Sequence, residues 1–105
     1  MSELDRVCGL VGLEVEELER WIGESWVLPA REGGAYVFHE VDVARVRLIA
    51  GLTHELQIDE DAMPVVLGLL DQLYALRRRL KGMAAALAAL PPELRQEIAR
   101  RLEKE

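Results

Sequence analysis

The sequence predicts a mainly α-helical chain: two short helices, a small β-hairpin and a third helix, then one long heptad helix and a short last helix. Three observations carry this. Apolar residues recur at spacings of three and four along most of the chain. The grammar turns β-prone only around the glycine pair Gly33-Gly34. From Val66 to Leu90 the apolar spacing becomes a strict heptad. The expected organisation is a first domain over residues 1–60, the heptad helix over 61–90 and a final helix within 91–105.

Each element has a local cause. Ser2 with Asp5 three residues later makes a capping-box start, followed by Leu4, Val7, Cys8 and Val11 at helical spacing. Gly9 and Gly12 bracket the end of that helix. The second helix is expected from about Glu14 to Ile22, burying Val15, Leu18, Trp21 and Ile22 and presenting Glu16, Glu17, Glu19 and Arg20 outward. Gly23 and Ser25 break it. Trp26-Val27-Leu28 and Ala35-Tyr36-Val37-Phe38 read as the two arms of a hairpin turning at Glu32-Gly33-Gly34, with Pro29 keeping the first arm short.

A third helix is expected from about Val41 to Leu56, with Glu40 and Asp42 suiting the positive end of its dipole. Asp59 is the expected N-cap of the next helix, and Pro64 belongs in or before its first turns. Beyond it run Val66, Leu69, Leu73, Leu76, Leu80, Met83, Leu87 and Leu90, an a/d seam about 36 Å long at ~1.5 Å per residue. Pro91-Pro92 ends this helix, and Leu94, Ile98 and Leu102 mark the last one.

Burying one leucine is worth roughly 1.5–3 kcal/mol, so a seam of this length needs a cover. A second copy of the chain, in a coiled-coil homodimer, is the favoured cover; the last helix folded back as a hairpin is the other. The flanking positions Leu70, Arg77, Ala84, Gln72, Arg79 and Ala86 leave the orientation of a dimer open. Arg77-Arg78-Arg79 with Lys81 reads as a solvated basic face beside the seam.

Composition excludes several classes. The 105 residues hold one cysteine, which rules out a disulfide framework within the chain and suits a reducing cytoplasm. No apolar run approaches a membrane span, and the N-terminus lacks the form of a signal peptide. Two distant histidines and one thiol offer no metal spacing, and no glycine-rich phosphate loop precedes a helix. An enzyme, a cofactor and a metal are therefore not expected. The net charge of −6 is unevenly spread. Residues 1–62 carry 14 Asp/Glu against five Arg, whereas residues 63–105 carry five acids against eight Lys/Arg.

The order of helix, tight turn, helix, two-stranded wing, helix, connector and long helix resembles a MerR-like winged helix-turn-helix protein. Gly12-Leu13-Glu14-Val15 with Glu16-Glu17-Leu18 sits at that superfamily's turn and second helix. Pro29 and Arg31 precede the wing, Gly34 lies at its tip, and Asp42-Val43-Ala44-Arg45-Val46-Arg47-Leu48-Ile49 matches the third-helix stretch. Within the superfamily the chain is similar to the CbpM chaperone-modulator family over about residues 3–90. His54-Glu55-Leu56, Asp59, Leu69-Leu70-Asp71, Tyr36-Val37-Phe38 and Glu16-Glu17-Leu18 carry that similarity.

Each resemblance implies a function. A DNA-binding MerR-like regulator places cations on its second helix and wing, where this chain has Glu16, Glu19 and Tyr36. A front half at −9 repels phosphate backbones, so DNA is not the expected partner. The CbpM resemblance implies a modulator that binds the J-domain of a DnaJ/CbpA-like co-chaperone and blocks its engagement of Hsp70. Acids would then face the basic helix of the J-domain. The site expected on that reading is His54, Glu55, Asp59, Glu60 and Asp61, with Asp71 further along; Glu16, Glu17 and Glu19 form a second candidate patch.

Other residues have plainer readings. Trp21 and Trp26 are expected to be core packing, Cys8 an inert core thiol, and His39 the residue that opens the third helix. Tyr36 and Phe38 flank Val37, and one of them is expected to face outward as a contact candidate.

Overall fold

A computed structural model describes residues 2–104. The chain forms two compact units, Met1–Leu67 and Gly68–Glu105.

The first unit opens with α1 (Glu3–Val11). The expected capping box is present: Ser2 Oγ accepts from the Asp5 N–H at 3.1 Å, and the Ser2 N–H donates to Asp5 Oδ2 at 3.2 Å. Gly12 ends the helix at φ +86°, where a Cβ would be strained, and its N–H and that of Leu13 both bond the Cys8 carbonyl. This is the tight turn into α2 (Val15–Gly23). Ser25, at φ +63°, turns the chain out of α2 as the Trp26 N–H bonds the Trp21 carbonyl.

The wing is a two-stranded antiparallel hairpin, β1 (Ala30–Glu32) and β2 (Ala35–Val37), pairing Glu32 with Ala35 and Ala30 with Val37. Its first arm therefore lies four residues beyond the expected Trp26-Val27-Leu28. The reason is the turn. Gly33 and Gly34 both take positive φ, as a two-residue hairpin loop demands, and the register counted back from it reaches only Ala30. Trp26 and Val27 are freed to enter the core, 7% and 1% exposed, while Arg45 Nε donates to the Trp26 carbonyl at 2.9 Å to hold that loop. Tyr36 and Phe38 lie with ring centroids 6.2 Å apart, because residues two apart on a strand point to the same side, and neither faces outward as expected. Phe38 is buried and Tyr36 half-buried beneath Arg31, whose guanidinium carbon lies 4.5 Å from the ring centre.

His39 opens α3 (Glu40–Ala50), with its N–H donating to Asp42 Oδ2 at 2.8 Å. The expected helix to Leu56 is interrupted. Its last turn, Gly51–Glu55, widens to a π-helix, closed by the Leu56 N–H on the Gly51 carbonyl at 3.0 Å. Gln57 then takes φ +54°, and the Ile58 N–H reaches back to the Leu52 carbonyl. A left-handed backbone costs an ordinary residue about 1 kcal/mol or more. Gln57→Gly is therefore expected to stabilise the first unit by about 0.5–1 kcal/mol, read as a higher urea midpoint at unchanged slope.

Asp59 sits where a short 3-10 turn begins (Glu60–Ala62) and makes no side-chain cap bond; α4 (Met63–Ala88) follows, with Pro64 inside its first turn. Met63 and Leu67 join the core built from Val7, Cys8, Leu18, Trp21, Trp26, Val27, Phe38, Val46, Ile49 and Ala50. Helix α4 thus starts as part of the first unit. The Cys8 thiol is pushed up by burial and then by the surrounding carboxylates Asp5, Glu14, Glu16 and Glu19, in keeping with an inert core residue.

The second unit holds the rest of α4 and α5 (Pro92–Glu103). The heptad helix, expected through Leu90, ends at Ala88. Leu90 precedes a proline, which disfavours the helical conformation, so it lies past the helix. In α5, Glu97 pairs with Arg100 at 2.5 Å and with Arg101 at 3.1 Å. No helix of the described residues is long and apolar enough to cross a membrane.

Candidate functional site

The outward face of α2 and the connector after α3 form one surface. Leu18 and Trp21 bury the inner face of α2, which obliges Glu16, Glu19 and Arg20 to be exposed on the other. Glu17 lies at the edge of that face, half-buried. Across from it, the extra residue in the π-turn rotates the residues after it by about 100° relative to a regular helix. His54 lies in this turn, its Nε2 2.9 Å from Glu17 Oε2 and its ring centroid 6.2 Å from that of Trp21. The second link is Arg20 Nη2 to Glu60 Oε1 at 2.5 Å, tying α2 to the 3-10 turn.

The two candidate patches, separate in the sequence, are therefore joined by Glu17–His54 and Arg20–Glu60. Glu55, Asp59 and Asp61 are exposed beside these links along the connector. Asp71 is exposed on α4, in the second compact unit. Arg20 and Trp21 are the residues sequence reasoning left out of the site. A cation on the outer face of an acidic helix was the available signal for Arg20, but its partner is 40 residues away.

The cations of the first unit are largely committed elsewhere. Arg6 grips Glu3 through Nε and Nη2 at 2.7 and 3.1 Å, and that hydrogen bond, more than the Phe38 N–H that Glu3 also accepts, holds the Glu3 carboxyl below its usual range. Arg31 donates to the Tyr36 hydroxyl at 3.0 Å, and Arg45 holds the Trp26 carbonyl. With Arg20 on Glu60, four of the five arginines of residues 1–62 have protein partners.

A helix, a tight turn, a second helix with an exposed outer face, and a hairpin wing define a winged helix-turn-helix protein. Residues 3–84 match the family described as MerR HTH family regulatory protein, and the chain belongs to that family. The match ends within α4 and leaves α5 outside it. No curated protein and no solved structure matches this chain.

Proposed function

We propose that this chain is a chaperone modulatory protein of the CbpM type, binding the J-domain of a DnaJ/CbpA-like co-chaperone through its acidic surface. By occupying the basic helix of the J-domain it keeps that helix from Hsp70. The observation that carries the reading is the joined surface of Glu16, Glu17 and Glu19, on the helix a DNA reader would use for its groove contacts, with Glu55, Asp59, Glu60 and Asp61 along the connector after α3. Phosphate contacts supply a large share of the affinity of a DNA-binding module, and here Glu16, Glu19 and Tyr36 stand at the helix and wing positions where such a module carries cations. An acidic face instead accelerates encounter with a cationic polypeptide and selects among such partners. The protein acts by binding, without catalysis or a cofactor, in the cytoplasm.

The second reading, a DNA-binding transcriptional regulator, is favoured by the family's description as regulatory proteins. Fold alone does not choose between them. Mixing the purified chain with a J-domain, and separately with random duplex DNA at low salt, separates the two. A J-domain complex at micromolar concentration with no retained DNA is the expected result; retained DNA without a J-domain complex reverses the assignment.

A further inference from the structure

Arg47 is the arginine of the first unit whose side chain makes no hydrogen bond or ion pair among the described residues. It borders a groove of about 360 Å³ between α1, Phe38 and α3, all within the first unit. The floor of the groove is apolar, made by Leu10, Phe38 and Val43. Leu10 falls outside the α1 stripe of Leu4, Val7, Cys8 and Val11 that faces the core, and it stands 50% exposed. Arg6 borders the groove from α1, its charge offset by the Glu3 carboxylate. His39 and Glu40 border it where α3 begins, and Glu40 lies two turns from Arg47, about 10 Å at ~1.5 Å per residue. The rim is therefore polarised, and an anionic group belongs beside Arg47, away from Glu40.

We propose that this groove takes an extended segment of a partner protein that carries a leucine-sized side chain and, two residues away, a Glu or Asp. Spacing sets the pattern. Val43 and Arg47 are one helical turn apart on the same face of α3, about 6 Å at ~1.5 Å per residue. An extended segment spans that distance in two residues at ~3.3 Å each, and side chains two apart point to the same side. The apolar side chain then covers Leu10 and Val43 while the carboxylate meets the Arg47 guanidinium, whose fork can hold both of its oxygens.

The openness of the groove sets the class of occupant. Arg6, Leu10, His39, Ala44 and Arg47 are all exposed along it. A small ligand lying there would keep much of its surface in water, whereas small-molecule sites bury most of theirs. A polypeptide covers floor and rim together. No residue of the acidic surface on α2 and the connector lines this groove, so its occupant does not depend on what that surface binds.

Nuclear magnetic resonance of the isotope-labelled full chain tests this with the peptide acetyl-Gly-Ser-Leu-Ser-Glu-Ser-Gly-amide. The amide signals of Leu10, Val43, Ala44 and Arg47 are expected to shift together and to saturate at millimolar peptide. Lys in place of the peptide's Glu should weaken binding about fivefold or more, and Arg47→Glu should invert that order. Leu10→Ser, at a half-exposed position, should weaken the Glu peptide about fivefold with unchanged helicity. No shift at these amides, equal binding of the two peptides, an order unchanged by Arg47→Glu, or undiminished affinity in Leu10→Ser overturns the proposal. The same shifts produced by random duplex DNA at low salt, by sodium decanoate more tightly than by the peptide, or by concentrating the chain alone also overturn it. Those results would give the groove to phosphate, to a small carboxylate or to a second copy.

Discussion

Replacing Trp21 by alanine is expected to cost the first unit about 3–5 kcal/mol, the range for truncating a fully buried large aromatic. Trp21 is 0% exposed and is the largest of the fully buried side chains. A unit of some 67 residues has, at roughly 0.05–0.15 kcal/mol per residue, only about 3–10 kcal/mol to lose. Much of the variant's first unit should therefore be unfolded at ambient temperature, seen as lost near-ultraviolet circular dichroism. Trp21→Phe separates volume from polarity. The indole Nε1 is buried with no hydrogen-bond partner among the described residues, so phenylalanine removes an unpaired donor along with part of the ring. Its cost should be about 1 kcal/mol, far below that of alanine. Equal losses for the two variants would mean that the indole nitrogen has a partner, such as an ordered water, that matters to stability.

The second large effect concerns binding. Asp59→Lys with Asp61→Lys changes the proposed surface by four charges while breaking no side-chain hydrogen bond seen among the described residues, both positions being exposed. Association with a J-domain should slow by about tenfold or more at low salt, with the dissociation rate much less affected. The difference should shrink as salt rises, because exposed charges are screened beyond about 10 Å at 0.1 M. Stopped-flow association at two ionic strengths reads this directly. An unchanged on-rate with retained binding would move the contact away from the connector. Thermal unfolding should be nearly unaffected, since exposed charges contribute little to stability.

The two experiments act on different parts of one arrangement. Trp21 packs α2 onto the core, and its ring also stands beside His54 in the π-turn. The acids carried by α2 and the connector meet only because that packing places them so. A Trp21→Ala variant that lost J-domain binding would therefore report loss of the scaffold, whereas the charge-reversed chain reports the surface alone.

Much of the fold was legible locally. Ser2 and Asp5 announced the start of α1, Gly12 its end, and Pro92 the start of α5, because caps and prolines act through bonds and sterics within a few residues. Both tryptophans were recognisable as core, because aromatic residues in so small a domain are more often packing than contacts. The hairpin turn was visible as Gly33-Gly34, yet its first arm lies elsewhere than the side chains suggest, because Trp26 and Val27 are strand-like residues that the core claims instead. The widening of α3 into a π-turn had no sequence signal. It places His54 beside Glu17 and Trp21 of α2, contacts 37 and 33 residues apart that no local propensity of Gly51 to Glu55 encodes.

By itself the sequence determined the element order, the acidic front and basic back, and the seam of leucines, since composition and periodicity belong to the chain in any conformation. Only the tertiary structure decided that Glu17 meets His54 and that Arg20 meets Glu60. It also decided that the seam positions from Leu69 to Met83 are exposed in the single chain. The physical reason is range. Capping and hydrophobic period act over three or four residues, whereas those two ion pairs span 37 and 40 residues and exist only once a shared core has brought their helices together.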